Sequence, residues 1–92
     1  MILPVLAALA EPTRLSAMRI LHDGSEHCVC ELMGKLGATQ SRMSRHMQVL
    51  KQAGLVVDRR DAQWVRYRIR TDLPTHLKAL LTAALVEEKV MA

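Results

Sequence analysis

The sequence contains no phenylalanine, and its aromatic residues are Trp64 and Tyr67 alone. Platforms that stack single-stranded nucleic acid need several exposed aromatics, so this composition excludes them. The two cysteines, Cys28 and Cys30, are too few for a disulfide framework and suit a reducing cytoplasm. No apolar run approaches the ~20 residues of a membrane span, and no membrane partner is expected. Residues 1–10 end in a small-x-small tripeptide but hold no Lys or Arg. They are shorter than the ~15–30 residues of a signal peptide and read as mature helix. A Gly-rich phosphate loop and an H-E-x-x-H are also missing. His27 and Cys28 are adjacent in sequence, without the orienting third group that a nucleophile and its base require. No enzyme is expected.

What is present is a chain of 92 residues, half of them apolar, with 13 Lys+Arg against 9 Asp+Glu. That length makes one small domain, 1–92. A fold this small buries little more than ~60% of its unfolded surface, so dimerisation is a natural way to bury more.

The pattern predicts a mainly α fold with a β-hairpin. Gly24, Gly37 and Gly54 each follow a helix-like stretch, where a left-handed residue ends a helix. Leu3, Leu6 and Leu9 stripe a first helix; Pro12 opens a second through Leu15, Met18 and Leu21. A third runs from about Cys30 to Leu36. Thr39 is the expected N-cap of a fourth, whose apolar face is Met43, Met47 and Leu50. From Leu55 to Ile69 the apolar period becomes two, through Leu55, Val57, Val65, Tyr67 and Ile69, with a polar turn over residues 59–63. Pro74 opens a last helix with Leu77, Leu80, Leu81, Ala84 and Leu85 on one face. That face either packs on the chain's own core or pairs with Leu3 and Leu6 of the first helix across a two-fold axis. The two-fold pairing, a homodimer built from the N- and C-terminal helices, is the expectation.

The charge is uneven. Residues 39–70 hold eight Lys+Arg against Asp58 and Asp61, a net of +6, and the remainder of the chain is at −2. Cations clustered on one helix and the ribbon beside it are the footprint of duplex DNA binding driven by counterion release. A short helix, a glycine turn and a polar-faced second helix form a helix-turn-helix, whose second helix enters the major groove at its N-terminal end. Gln40 and Arg42 carry groups that discriminate base edges. Ser41, Ser44 and Arg45 suit phosphates, which position the protein without reading sequence, and Thr39 at the cap completes the DNA-binding set. Arg59, Arg60 and Gln63 extend the surface onto the hairpin. For His46 an interior polar contact and a phosphate contact stand as equal alternatives.

These residues carry a resemblance. Residues 6–69, through LAALAEPTRLSAMRIL (6–21) and HCVCELMGKLGATQSRMSRHMQVLKQAGLVVDRRDAQWVRYRI (27–69), resemble the ArsR/SmtB family of winged-helix bacterial repressors. The resemblance implies a winged helix-turn-helix and a homodimer that represses its own operon and leaves operator DNA when an inducer binds. It places Gln40, Ser41, Arg42, Ser44, Arg45 and His46 on the recognition helix, and Arg59, Arg60 and Gln63 on the wing.

In that family a C-V-C before the recognition helix marks sensors of arsenite and antimonite, which makes trivalent arsenic or antimony the implied inducer. No cofactor is implied for folding. The chemistry agrees: thiolate is the ligand form, a helix N-terminus favours the anion, and soft thiolates take thiophilic ions. Residues i and i+2 point ~200° apart on an ideal helix, so Cys28 and Cys30 are expected to grip one ion only if that first turn unwinds or stays extended. Family prototypes often carry a third cysteine where this chain has Met33, leaving His27, hydroxide or a small thiol as a third ligand. Methylated trivalent arsenic, which needs two thiolates, another thiophilic metal and thiol oxidation remain alternative inducers. So does a pair that is merely apolar and buried. The zinc-sensing relatives place paired His and carboxylate ligands on the last helix; here that region offers Asp72, His76, Glu87 and Glu88, which disfavours zinc. His22 and His76 read as surface or capping residues.

Overall fold

The computed structural model describes residues 2–86, in the order α1 (Ile2–Leu9), α2 (Pro12–Leu21), β1 (His27–Cys28), α3 (Val29–Leu36), α4 (Gln40–Gln52), β2 (Val56–Asp61), β3 (Trp64–Ile69) and α5 (Thr75–Ala84). This is a winged helix-turn-helix: a helical body with an antiparallel sheet at one side. The sheet order is β1-β3-β2.

Local chemistry sets the helix ends. Glu11 caps α2 by accepting the Arg14 backbone N–H at 2.8 Å, and Pro12 occupies the first turn, where no intrahelical donor is needed. Gly37 ends α3 with φ of 65°, its N–H donating to the Met33 carbonyl. That left-handed residue turns the chain within three residues into Thr39, whose hydroxyl accepts the Arg42 N–H at 3.3 Å and starts α4. Met43, Met47 and Leu50 of α4 are wholly buried, at the expected spacing. With Met18, Leu21 and Leu32 they form an aliphatic and methionine core in which Tyr67 is the buried aromatic. Methionine suits the irregular gaps that a core poor in aromatic rings leaves.

The sheet departs from the expected pattern in three places. The two-residue strand β1 is unexpected, because two residues carry no period; it pairs His27 with Tyr67 and Cys28 with Arg66. Val56, not Val57, faces the core, since Leu55 is not a strand residue. The Leu55 N–H and carbonyl instead bond Leu50 and Arg70, burying Leu55 and Val56 in succession. The hairpin turn is also narrower than residues 59–63. Arg59, Arg60 and Asp61 remain in β2, and only Ala62 and Gln63 connect Asp61 to its partner Trp64. Ala62 takes φ of 56°, which costs a non-glycine residue about 1–2 kcal/mol.

The last helix corrects part of the expected subunit interface. Leu77, Leu81 and Leu85 are buried within the chain, so they serve its own core. Leu80 and Ala84 are half-buried, whereas Leu3 is 71% exposed and Ile2 and Leu6 are exposed beside it. Among the described residues the open apolar surface therefore lies on α1 and, beyond the end of α5, at Val86. Among the described residues no helix is long and apolar enough to cross a membrane.

Candidate nucleic-acid interface and thiol pair

The α3 and α4 helices, joined through Gly37, Ala38 and Thr39, form the helix-turn-helix. Thr39, Gln40, Ser41, Arg42 and Arg45 are exposed along the first half of α4, and Ser44 is half-buried beside them. Neither Arg42 nor Arg45 has a carboxylate within ion-pair distance among the described residues.

His46 points elsewhere. Its Nδ1 accepts from Arg14 Nη1 at 3.2 Å and lies 3.9 Å from Glu11, in a half-buried position. Of the two alternatives, this is the interior polar contact, made through Nδ1 from α4 to α2. Arg14, which lies in the 6–21 segment but is given no role by the sequence reading, also donates from Nε to the Ala8 carbonyl at 2.7 Å, and with its bond to His46 ties the end of α1 to α4.

The hairpin treats its cations differently. Arg59 donates to both oxygens of Glu26, from Nε at 2.9 Å and from Nη2 at 2.7 Å. Arg66 pairs with Asp61 at 2.8 Å, Arg70 with Asp72 at 2.9 Å, and Lys51 of α4 with Asp58 at 3.1 Å. Glu26 and Asp72 lie outside the segment whose net charge is +6, so the fold returns carboxylates to it from elsewhere in the chain. Arg60 and Gln63 remain exposed, and Arg60 has no carboxylate partner among the described residues.

Cys28 and Cys30 come together without any unwinding. Cys28 is not on the helix: it is the N-cap of α3, extended at φ −68° and ψ 144°, while Cys30 lies in the first turn. The two sulfurs are in direct contact, as in a disulfide, with Cα atoms 5.2 Å apart. Cys28 Sγ also accepts the Cys30 backbone N–H at 3.2 Å. Of the two expected conditions, an unwound or an extended turn, the structure shows the extended one at Cys28, so the ~200° separation of two helical residues does not apply. Cys28 is buried and Cys30 is exposed, which gives the pair one open side.

His27 is unsuited as a third ligand. Its Nδ1 meets Glu31 at 2.7 Å, and its Nε2 meets Asp23 at 2.9 Å and Ser25 at 3.0 Å, so both ring nitrogens are taken. Burial disfavours its charged form, but the hydrogen bonds to Asp23 and Glu31 prevail and raise its pKa above the usual 6.5. The Ser25 backbone N–H, then His27, hold Asp23 down at about 2. Met33, half-buried and one turn beyond Cys30, stands where a third sulfur would come from α3. The zinc reading gains nothing from the last helix. Asp72 is engaged by Arg70, His76 is exposed, and Glu87 and Glu88 lie outside the described residues. Among the described residues no three His, Cys, Asp or Glu side chains are arranged to hold a metal ion. His22 caps the end of α2, as expected for a surface histidine.

Comparison with known proteins decides the family. Residues 11–57, from the cap of α2 into β2, match the family described as "Bacterial regulatory protein, arsR family". The chain belongs to the arsR family. It is therefore one of a family of transcriptional regulators and not of enzymes. It is similar to the arsenic resistance transcriptional regulator ArsR2 of Pseudomonas putida, 39% identical over 88% of this chain and 70% of that protein. It is also similar to the arsenical resistance operon repressor of Escherichia coli, 36% identical over 91% of this chain and 74% of that protein. Among solved structures, HlyU from Vibrio cholerae superposes with a TM-score of 0.75 at 35% identity, covering 87% of this chain and 83% of that one. A possible transcriptional regulator for arsenical resistance superposes at 0.71 with 33% identity, covering 89% and 84%. The arsR-family match thus spans the helix-turn-helix and the thiol pair together.

Proposed function

We propose that this chain is the repressor of an arsenic-resistance operon, a homodimer that holds operator DNA and releases it when trivalent arsenic or antimony binds Cys28 and Cys30. The observation that carries the reading is the convergence of two sulfurs at the N-cap of α3, the helix that supports the recognition helix. The names of the two curated relatives support the arsenical class. A reducing cytoplasm keeps such a pair as thiols.

Gln40 and Arg42 read base edges in the major groove, Thr39, Ser41, Ser44 and Arg45 take phosphates, and the wing adds Arg59, Arg60 and Gln63. Two recognition helices meet half-sites about one helical turn apart, with the protomers joined chiefly through Ile2, Leu3 and Leu6 of α1, flanked by Leu80 and Ala84.

The route to release follows from where Cys28 sits. Its sulfur caps α3, and its backbone pairs with Arg66 in the central strand of the wing. A trivalent metalloid held by the two sulfurs would draw electron density from the sulfur that caps α3, weakening that cap, and would pull on both elements. Coupling of about 1–3 kcal/mol weakens operator binding by about 5–150-fold. With methionine at position 33 the chain itself supplies two thiolates, a number that also satisfies a methylated arsenical. Contact between the sulfurs also supports a second reading. Loss of two protons and two electrons to a hydroperoxide would join them as a disulfide and act on the same cap.

The test uses the reduced protein bound to the DNA preceding its own gene, challenged in parallel with arsenite, antimonite, methylarsenite, zinc, cadmium and hydroperoxide. Release is expected with the trivalent arsenicals and antimonite, and retention with zinc. Release by zinc or by hydroperoxide alone would overturn the arsenical assignment.

A further inference from the structure

Arg59 and Arg60 are neighbours on the wing with different surroundings. Arg60 is free of carboxylates among the described residues, while Arg59 grips Glu26 through two parallel hydrogen bonds. A guanidinium fork that fits a carboxylate with two donors fits a phosphate with the same two donors. Arg59 cannot offer that edge to both at once. The pair is open to solvent, with Arg59 54% and Glu26 31% exposed at the side chain, so a phosphate can reach it.

Glu26 has a second relation to the site. It immediately precedes β1 and stands two residues before Cys28, whose backbone is paired with Arg66; in the other ladder of β3, Arg66 faces Arg59. The carboxylate that holds the wing arginine is therefore on the segment that carries the thiols.

The geometry points to Glu26 as an intramolecular competitor of the DNA phosphate, which holds Arg59 at the root of the wing and sets operator affinity below its attainable value. This rests on the reading that the wing meets DNA. Because Glu26 and Cys28 share one short segment, a ligand that moves the thiols also moves the competitor.

The experiment compares operator binding by Glu26→Gln, Arg59→Gln and the double variant at one fixed salt concentration. Glu26→Gln is expected to bind about 2- to 5-fold more tightly, the range of an exposed ion pair. Arg59→Gln is expected to bind more weakly, and in its background Glu26→Gln is expected to have no effect. A tighter complex cannot arise from a misfolded variant. Unchanged or weaker binding by Glu26→Gln, with Arg59→Gln still impaired, would overturn the competition and leave the wing reading intact. A gain that persists without Arg59 would show a general charge effect and also overturn it. Full affinity in Arg59→Gln would remove the wing's role in binding, and the competitor with it.

Discussion

On α4, Arg42 and Arg45 stand exposed without carboxylate partners among the described residues; on the wing, Arg59 and Arg66 are held by Glu26 and Asp61. Both regions contribute to the +6 of residues 39–70, yet the fold gives their charges different availability. An unpaired arginine meets a phosphate or a guanine without giving anything up except water. A paired one first surrenders an ion pair, so its net contribution is smaller. On the proposed reading, Arg42 and Arg45 of the helix are expected to contribute more to operator binding than Arg59 of the wing.

The comparison predicts an order of effects. Arg42→Ala on the helix is expected to cost about 1–3 kcal/mol of operator binding and to relax base preference at one position of each half-site. Arg45→Ala is expected to weaken all sequences alike and to reduce the salt slope by about 0.9 for each phosphate left without its cation. Binding isotherms on specific and scrambled duplexes separate the two. If Arg59→Ala matched either one, the contrast between helix and wing would fail. Thr39→Ala removes the cap of α4, and thermal unfolding is expected to show a destabilisation of about 0.5–2 kcal/mol.

A smaller effect lies at the root of the wing. His27 has a raised pKa, so the stability from its pairing with Asp23 and Glu31 is complete below the unfolded value of 6.5 and is lost as pH rises through the folded value. Wild type is therefore expected to lose stability relative to His27→Gln as pH rises from 6.5 through the raised folded value, and parallel melting curves would refute this. The smallest effect is at the tip. Ala62→Gly should relieve the left-handed backbone and stabilise the hairpin by no more than about 1 kcal/mol, with operator binding unchanged.

The sequence makes the helical body legible because its signals are local. Pro12, Thr39 and Gly37 mark boundaries by their own backbone chemistry, and Met43, Met47 and Leu50 mark a face by their spacing. The wing is less legible because its partners are remote. Arg59 and Glu26 are 33 residues apart, and no spacing rule joins them. β1 is too short to show a period, so the strand that holds Cys28 extended is hidden, although the expectation that this turn stays extended is met. His46 carries no directional signal at all, since its partners come from α2 and the residue that caps it.

The proposed inducer site is the preformed pair at the N-cap of α3. The direct measurement titrates arsenite into operator complexes of reduced wild type and of Cys28→Ser/Cys30→Ser, following DNA release by anisotropy. Wild type is expected to release the operator with affinity weakened by about 5–150-fold, while the double variant holds it throughout. Equal release from both would rule out this pair as the inducer site.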